Sequence, residues 1–595
     1  MNISRWERFH LDHHEDTVIL VLTLIIGAVV GAVVVAFILL TENLGARMYP
    51  ASAAPWRRIF IPIVGSLSTG YFLYRYFPNA RGSGIPQTKT ALFIRDGYIS
   101  LRTVIGKFTM CSITLASGLA LGREGPSVQV GAGLASVLGR RLGLSPARVK
   151  SLVPVGAAAA LAAAFNTPIA AVLFTLEEVM GDMHAPVLGS IVLSSATSWM
   201  VLHLLLGDEP LFHVPAYELK SPVEFATYAI LGLAGGFVSV GFVKLLLWQR
   251  KKFIAMPIWT RWFQPVAGGI TVGLLGWFAP DVLGVGYGAV GQALNGHMML
   301  GMMALLVVLK LVATATCYSS GNAGGIFGPA LFIGAMLGGT VGSVAHVVMP
   351  YYTGNVGAYA LVGMGAAFAG IVRVPLTSVI MIFEVTRDYT IIVPLMIANL
   401  LSYFVSSRLQ EEPIYEGLLH QDRIHLPHGA GVRAKETVLH VSDALHPGGE
   451  PLPESLTVAE ARARADRRHN AWPVADANGL RGMISAQRID QAIANGQGGE
   501  LLGALVPEPG PIEGLSQNVF PHLHADHPLD VALRKLGETG WDVLPVVSRD
   551  NVREWKGTIS LQEVLAAYGV APSVGESASA SQTQPEPDQA EGQQR

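Results

Sequence analysis

The sequence predicts an all-α polytopic membrane domain of two inverted repeats with broken helices, followed by a soluble α/β module of two similar units. Three observations carry that prediction. Asp, Glu, Lys and Arg make up 11% of residues 1–420 and 22% of residues 421–595, where an ordinary soluble domain holds about 25%. Apolar stretches follow one another through the first 420 residues with uneven lengths, several broken by Gly or Pro. Two pairs of segments from the first and second halves of that region overlay.

The elements follow in order. Residues 1–16 are a polar N-terminal segment. Thr17 to Leu40 are 24 uncharged, mostly apolar positions, enough to cross a hydrocarbon core of about 30 Å and too long for the centre of a signal peptide. Further apolar runs lie near 58–77, 103–121, 126–142, 152–176, 187–206, 225–247, 265–280, 299–316, 329–349, 357–384 and 391–407. Irregular runs of this kind suit transporters with broken helices better than a bundle of regular spans. The membrane domain therefore spans 17–420. Arg5, Arg8 and the long polar C-terminal region place both termini on the cytoplasmic side of the cell membrane. A net charge of −2 excludes a basic field for nucleic acid, and two cysteines in apolar surroundings exclude a disulfide framework.

The repeat is read by overlay. GAAAALAAAFNTPIAAVLFTLEE at 156–178 matches GMGAAFAGIVRVPLTSVIMIFEV at 363–385, so that Pro168 meets Pro375 and Glu177 meets Glu384. GREGPSVQVGAGL at 122–134 matches GIFGPALFIGAML at 325–337. Shared prolines and a shared carboxylate are harder to obtain by chance than shared small residues, so two structural halves are expected.

Residues 421–571 read as two helix–strand–turn–strand–helix units, at about 436–495 and 505–570. Their strands are AWPVAD with RGMIS, and DVLPVVS with KGTIS. Residues 572–595, rich in Ser, Gln, Glu and Pro, have too few apolar side chains for a core and read as disordered.

RGSGIP at 81–86, GREGP at 122–126 and GGIFGP at 324–329 each open an apolar run. Glycine permits close backbone approach and proline suits a first helical turn. Each segment can present free N–H groups at the positive end of a helix dipole. Gly82, Gly84, Gly122, Gly125, Gly325 and Gly328 mark these ends. Three such ends around one cavity form an anion site without a lysine or arginine to hold the ion too tightly. Any one of them alone could equally be a close-packing turn.

In that order, and with a terminal paired module, these segments resemble the CLC family of chloride channels and chloride/proton exchangers. The resemblance covers residues 17–420. It implies a homodimer in the lipid bilayer in which each subunit carries its own pathway for chloride and protons, and no enzyme activity. By motif, Ser83 would donate its hydroxyl to a central chloride, Tyr415 in EEPIYEGLL would close its inner side, and the N–H groups of Ile326 and Phe327 would complete the cage. Glu124 in GREGP would be the gating glutamate, occupying an anion position when ionised and leaving it when protonated. Glu178 would pass protons on the inner side.

The repeat speaks to the carboxylates independently. Glu177 has a twin in Glu384, which points to a shared structural role such as hydrogen-bonding backbone groups. Glu178 faces Val385 and Glu124 faces Phe327, so the two that break the repeat are the functional candidates. The bland alternative for Glu178 is a helix end in ordinary water. Arg81 and Lys107 either enrich anions near the pore or flank the membrane interface. HLDHHED at 10–16 reads as solvated polar sequence, with metal binding the minor alternative.

The soluble pair resembles tandem cystathionine-β-synthase (CBS) domains, many of which bind adenine nucleotides through Ser or Thr followed three residues later by Asp. Here Ser485 is followed by Arg488, and Ser560 by Glu563. No cofactor is required. An adenine nucleotide at the pair and a purely structural role both stay open. Function thus reads as chloride/proton exchange, with a passive chloride channel as the alternative. A fluoride/proton antiporter is disfavoured because such relatives depart at the positions of Ser83 and Tyr415. An intramembrane protease lacks HExxH, and Ser83 would need His203 as its base.

Overall fold

Among the described residues, glycine and proline punctuate the first part of the chain into two successive runs of eight α-helices. In the computed structural model the first run is α1 (Glu15–Met48), α2 (Arg57–Arg75), α3 (Ile85–Phe93), α4 (Leu101–Ala116), α5 (Glu124–Arg141), α6 (Pro146–Phe165), α7 (Pro168–Phe174) and α8 (Leu188–Leu206). The second is α9 (Glu224–Ala255), α10 (Pro265–Phe278), α11 (Tyr287–Leu294), α12 (Leu300–Ser319), α13 (Phe327–Val348), α14 (Val356–Val372), α15 (Pro375–Thr386) and α16 (Ile392–Leu409), after which comes α17 (Ile414–Gln421). The structure describes residues 15–50, 52, 54–183, 187–208, 211–212, 214, 217, 219–424, 426, 439–445, 450–466, 469–506 and 520–568. The polar cluster at 10–14 and the tail at 572–595 lie outside them. Among the described residues, seven helices are long and apolar enough to cross a membrane. The chain divides into two compact units, Met1–Val432 and Arg433–Arg595.

The breaks have local causes. The run at 152–176 ends its first helix at Asn166, left-handed at φ 60°, and Pro168 starts the next. The run at 357–384 does the same at Arg373, φ 69°, and Pro375. A left-handed residue closes each helix and proline opens its successor. Glycines set the packing within each half. A Cβ on Gly156 would lie 2.3 Å from the Gly131 carbonyl oxygen, and one on Gly363 2.2 Å from that of Gly334. α5 and α6, and likewise α13 and α14, therefore touch backbone to backbone at repeat-matched positions.

The halves also hold each other. Glu384 on α15 accepts from the amides of Ile169 (2.9 Å) and Ala170 (2.7 Å) at the start of α7. Glu177 accepts from the amide of Thr377 (2.9 Å) and from its hydroxyl (2.6 Å) at the start of α15. Each carboxylate satisfies the orphan N–H groups and positive dipole end of the other half's helix. The backbone-bonding role expected of this pair takes the form of an exchange between halves. Glu177→Ala and Glu384→Ala should each cost about 2 kcal/mol, read as a lower unfolding temperature in detergent. A changed ion stoichiometry without a loss of stability would refute the structural role.

The second unit begins with α18 (Val441–Ala444), then β1 (Leu452–Pro453), α19 (Val458–Arg464), β2 (Ala471–Asp476), β3 (Gly479–Ser485) and α20 (Ala486–Ala494). It continues with α21 (Leu529–Thr539), β4 (Val543–Val547), β5 (Trp555–Ser560) and α22 (Leu561–Ala567). β1 runs parallel to β2 and β2 antiparallel to β3, while β4 and β5 pair antiparallel. The division at about 436–495 and 505–570 needs correction at its edges. Val441 packs with Leu523, Leu529 and Leu544 in the second core, and the Leu529 amide bonds the Leu439 carbonyl at 2.7 Å. Val506, conversely, lies in the first core with Val458 and Ile484. Burial decides membership here, not order along the chain. The two α/β units of this module are joined by a reciprocal contact in which the Asn470 amide donates to Asp542 (2.8 Å) and the Asp542 amide to Asn470 (3.0 Å).

Candidate ion pathway

The three glycine segments converge as the sequence predicts. RGSGIP leads into α3, GREGP into α5 and GGIFGP into α13. Gly122 and Gly325, matched in the overlay, exchange two backbone hydrogen bonds of 2.7 Å each. A Cβ on Gly84, which sits at φ 108°, would meet the Gly125 carbonyl oxygen at 2.4 Å, and one on Gly125 would meet the Ser83 carbonyl oxygen at 2.7 Å. No side chain larger than hydrogen allows these helix starts to approach so closely.

Ser83 is fully buried and its hydroxyl has no hydrogen-bond partner, and the buried hydroxyl of Tyr415 has none either. Tyr318 stands beside Ser83. Buried hydroxyls left unsatisfied are costly, and such groups suit a bound anion. Ile326 and Phe327 occupy the N-cap and first position of α13, whose amides have no carbonyl one turn back. The Phe327 ring is fixed by Phe165, Phe174 and Phe368 at centroid distances of 4.6, 5.5 and 4.1 Å.

Glu124 is fully buried at the start of α5. Its Oε2 accepts from the Gly328 amide of α13 at 3.2 Å and its Oε1 from the Tyr287 hydroxyl. A Cβ on Gly122 would fall 2.3 Å from Glu124 Oε2, so that glycine is what makes room for the carboxylate. A carboxylate held by an amide at a helix N-terminus stands where a small anion would stand.

Glu178 lies in a π-helical turn, Thr175–Met180, that continues α7. The matching α15 runs on as a regular helix. The wider turn aims Glu177 at α15 and Glu178 inward, a usual place for a functional distortion. Glu178 is 6% exposed and accepts from Lys89 Nζ at 2.9 Å, which overturns the water-exposed alternative. Lys89 also faces Glu416 at 3.7 Å.

Lys107 is not at an interface. It is fully buried, and its Nζ donates to the Gly82 carbonyl at 2.7 Å. Lys310, 203 residues on, donates to the Gly284 carbonyl at 2.6 Å. Both lysines therefore lock the first glycine of a left-handed turn, Gly82 at φ 81° and Gly284 at φ 63°. Arg81 is half-buried and spends its guanidinium on the carbonyls of Gly321 (3.0 Å) and Ser320 (3.1 Å). It lines a cavity of about 610 Å³ with Arg250, Arg261, Arg95 and Arg423.

Residues 64–407 match the family described as voltage gated chloride channel. The chain belongs to the CLC family. It is 33% identical over 374 residues to the H+/Cl− exchange transporter ClcA of Vibrio campbellii, covering 61% of this chain and 79% of that one. With ClcA of Salmonella paratyphi B the identity is 32% over 417 residues, 67% and 88% of the two chains. A slow cyanobacterial Cl−/H+ antiporter superposes with TM-score 0.61 at 26% identity, covering 68% of this chain and 97% of the other. A eukaryotic CLC transporter shares the fold over 91% of this chain and 97% of its own, with TM-score 0.58 at 20% identity.

Sequence reasoning missed four residues of this CLC site: Lys89, Glu416, Tyr287 and Lys310. Lys310 was within reach, since it stands at the same offset from Lys107 as Gly325 from Gly122. In the second unit, Ser485 caps α20 by accepting from the Arg488 amide (3.3 Å). Ser560 and Glu563 close a capping box on α22, with the Ser560 hydroxyl 2.8 Å from Glu563 Oε2. A serine-protease arrangement has no support among the described residues. His203 is engaged by Trp199 and Asp208, and Ser83 Oγ meets no base.

Proposed function

We propose that the protein exchanges chloride for protons across the cell membrane, through a pathway in each subunit of a homodimer built from two inverted halves, with both termini cytoplasmic. The observation that carries this is the Glu124 carboxylate, held at the α13 N-terminus by the Gly328 amide and the Tyr287 hydroxyl. Chloride and that carboxylate compete for the same donors, so an arriving chloride displaces Glu124, which then takes a proton. Ser83, Tyr415 and the amides of Ile326 and Phe327 receive the ion behind it. Glu178 passes protons from the other side. The relatives described as exchangers support this reading.

The paired α/β units are a CBS tandem with a structural role. Their candidate nucleotide residues do not fit an adenine nucleotide, because the Arg488 side chain only donates and cannot accept from a ribose hydroxyl as Asp does, and Glu563 is committed to its own helix start. The test is reconstitution in liposomes under a chloride gradient, with proton flux recorded for wild type and Glu178→Gln. Wild type should move protons uphill, and Glu178→Gln should lose that while passing chloride. Chloride flux reversing at the chloride equilibrium potential, with no proton movement in wild type, would make this a channel.

A further inference from the structure

Three buried charges that meet at Lys89 carry an inference that rests on the exchange reading. Lys89 of α3 sits 2.9 Å from Glu178 and 3.7 Å from Glu416 of α17, and the three side chains are 1%, 8% and 13% exposed. The other charges that act on Glu416 are Arg373 and Glu412. Arg373 is turned to the carbonyls of Glu411 (2.8 Å) and Ser406 (3.2 Å), and Glu412 lies 2.7 Å from His420. The other charge that acts on Glu178 is Glu177, which bonds the start of α15. Lys89 is thus the cation in contact with both carboxylates.

Charge counting sets what this cluster does. With all three groups ionised it carries one net negative charge away from water, which is strongly unfavourable. One added proton makes it neutral, and either carboxylate can carry that proton while Lys89 pairs with the other. We propose that Glu178 and Glu416 form a single two-carboxylate proton station switched by Lys89, with Glu416 the member that takes protons from water. In the transfer step, Lys89 Nζ gives a proton to Glu178 and takes one from Glu416. An N–H and an O–H bond break, an O–H and an N–H bond form, and Lys89 ends as an ammonium paired with ionised Glu416. Net charge is unchanged throughout, so no bare charge crosses the interior.

The test uses the full-length protein in liposomes and reads protons moved per chloride for wild type, Glu416→Gln, Glu416→Asp and the double variant Lys89→Gln/Glu416→Gln. Glu416→Gln leaves a Lys89–Glu178 pair that is already neutral and gains nothing from a proton, so the ratio should fall about tenfold or more. Removing Lys89 as well leaves Glu178 as a lone carboxylate, and the ratio should recover most of that loss. Glu416→Asp should stay within about threefold of wild type, since it keeps the titrating group. A purely structural Glu416 predicts no recovery in the double variant. An unchanged ratio in Glu416→Gln, or a double variant no better than the single one, overturns the station. Absence of proton movement in wild type overturns the exchange reading instead.

Discussion

Glu124→Gln should abolish proton transport while chloride still passes. The amide cannot take up and release a proton, so the coupled step is lost at its source, by about 100-fold or more. The geometry adds a second effect. Both donors that hold the carboxylate, the Gly328 amide and the Tyr287 hydroxyl, would now face a group that is half donor itself. Its NH2 cannot accept from either, so the side chain loses part of its hold on α13 and competes less well with chloride. Chloride flux should therefore rise or hold. Proton and chloride fluxes measured together in liposomes decide this. Persistent uphill proton movement in Glu124→Gln would remove Glu124 from the mechanism altogether.

Gly334→Val should yield no monodisperse protein, and Gly334→Ala a protein weakened by about 3 kcal/mol. A Cβ at position 334 meets the Gly363 carbonyl oxygen at 2.3 Å, and that oxygen belongs to a packed helix with no free side to move toward. α13 and α14 would have to separate by about 1 Å, the shortfall from ordinary contact at roughly 3.5 Å. The displacement is not local. Phe327 and Gly328 start α13 seven and six residues earlier, so a shift of this helix also moves the amides that face the anion. Size-exclusion profiles and unfolding temperatures in detergent check the first effect, and chloride affinity of Gly334→Ala checks the second. A well-folded Gly334→Val would mean that α13 and α14 pack more loosely than the backbone contact implies.

Much of this was legible in the sequence, and the parts that were not share a cause. The helix starts at Ser83, Glu124 and Phe327 show themselves locally, because glycine and proline mark them within six residues. The exchange of Glu177 and Glu384 was legible as a repeat, although which backbone each would meet was not. Lys89, Glu178 and Glu416 lie on segments 89 and 238 residues apart. No periodicity links them, and only the packed structure shows one lysine between two carboxylates. Lys107 misled for the opposite reason. A lysine in an apolar run reads naturally as a residue bound for water, yet here the Gly82 carbonyl supplies its partner in the interior. The turn at 284–286 escaped the overlay because it lacks the proline of RGSGIP.

The reciprocal carboxylates impose an order on biosynthesis. The amides of Ile169 and Ala170 wait for Glu384, which is 215 and 214 residues later in the chain. At about 5–20 residues per second, a ribosome takes about 10–40 s to reach it. For that interval the first half sits in the membrane with the start of α7 uncapped and Glu177 without the helix it serves. The first half cannot reach its final state before the second has been made, so the insertion machinery must tolerate an unfinished half-protein, and a truncation after α8 should be a substrate for quality control.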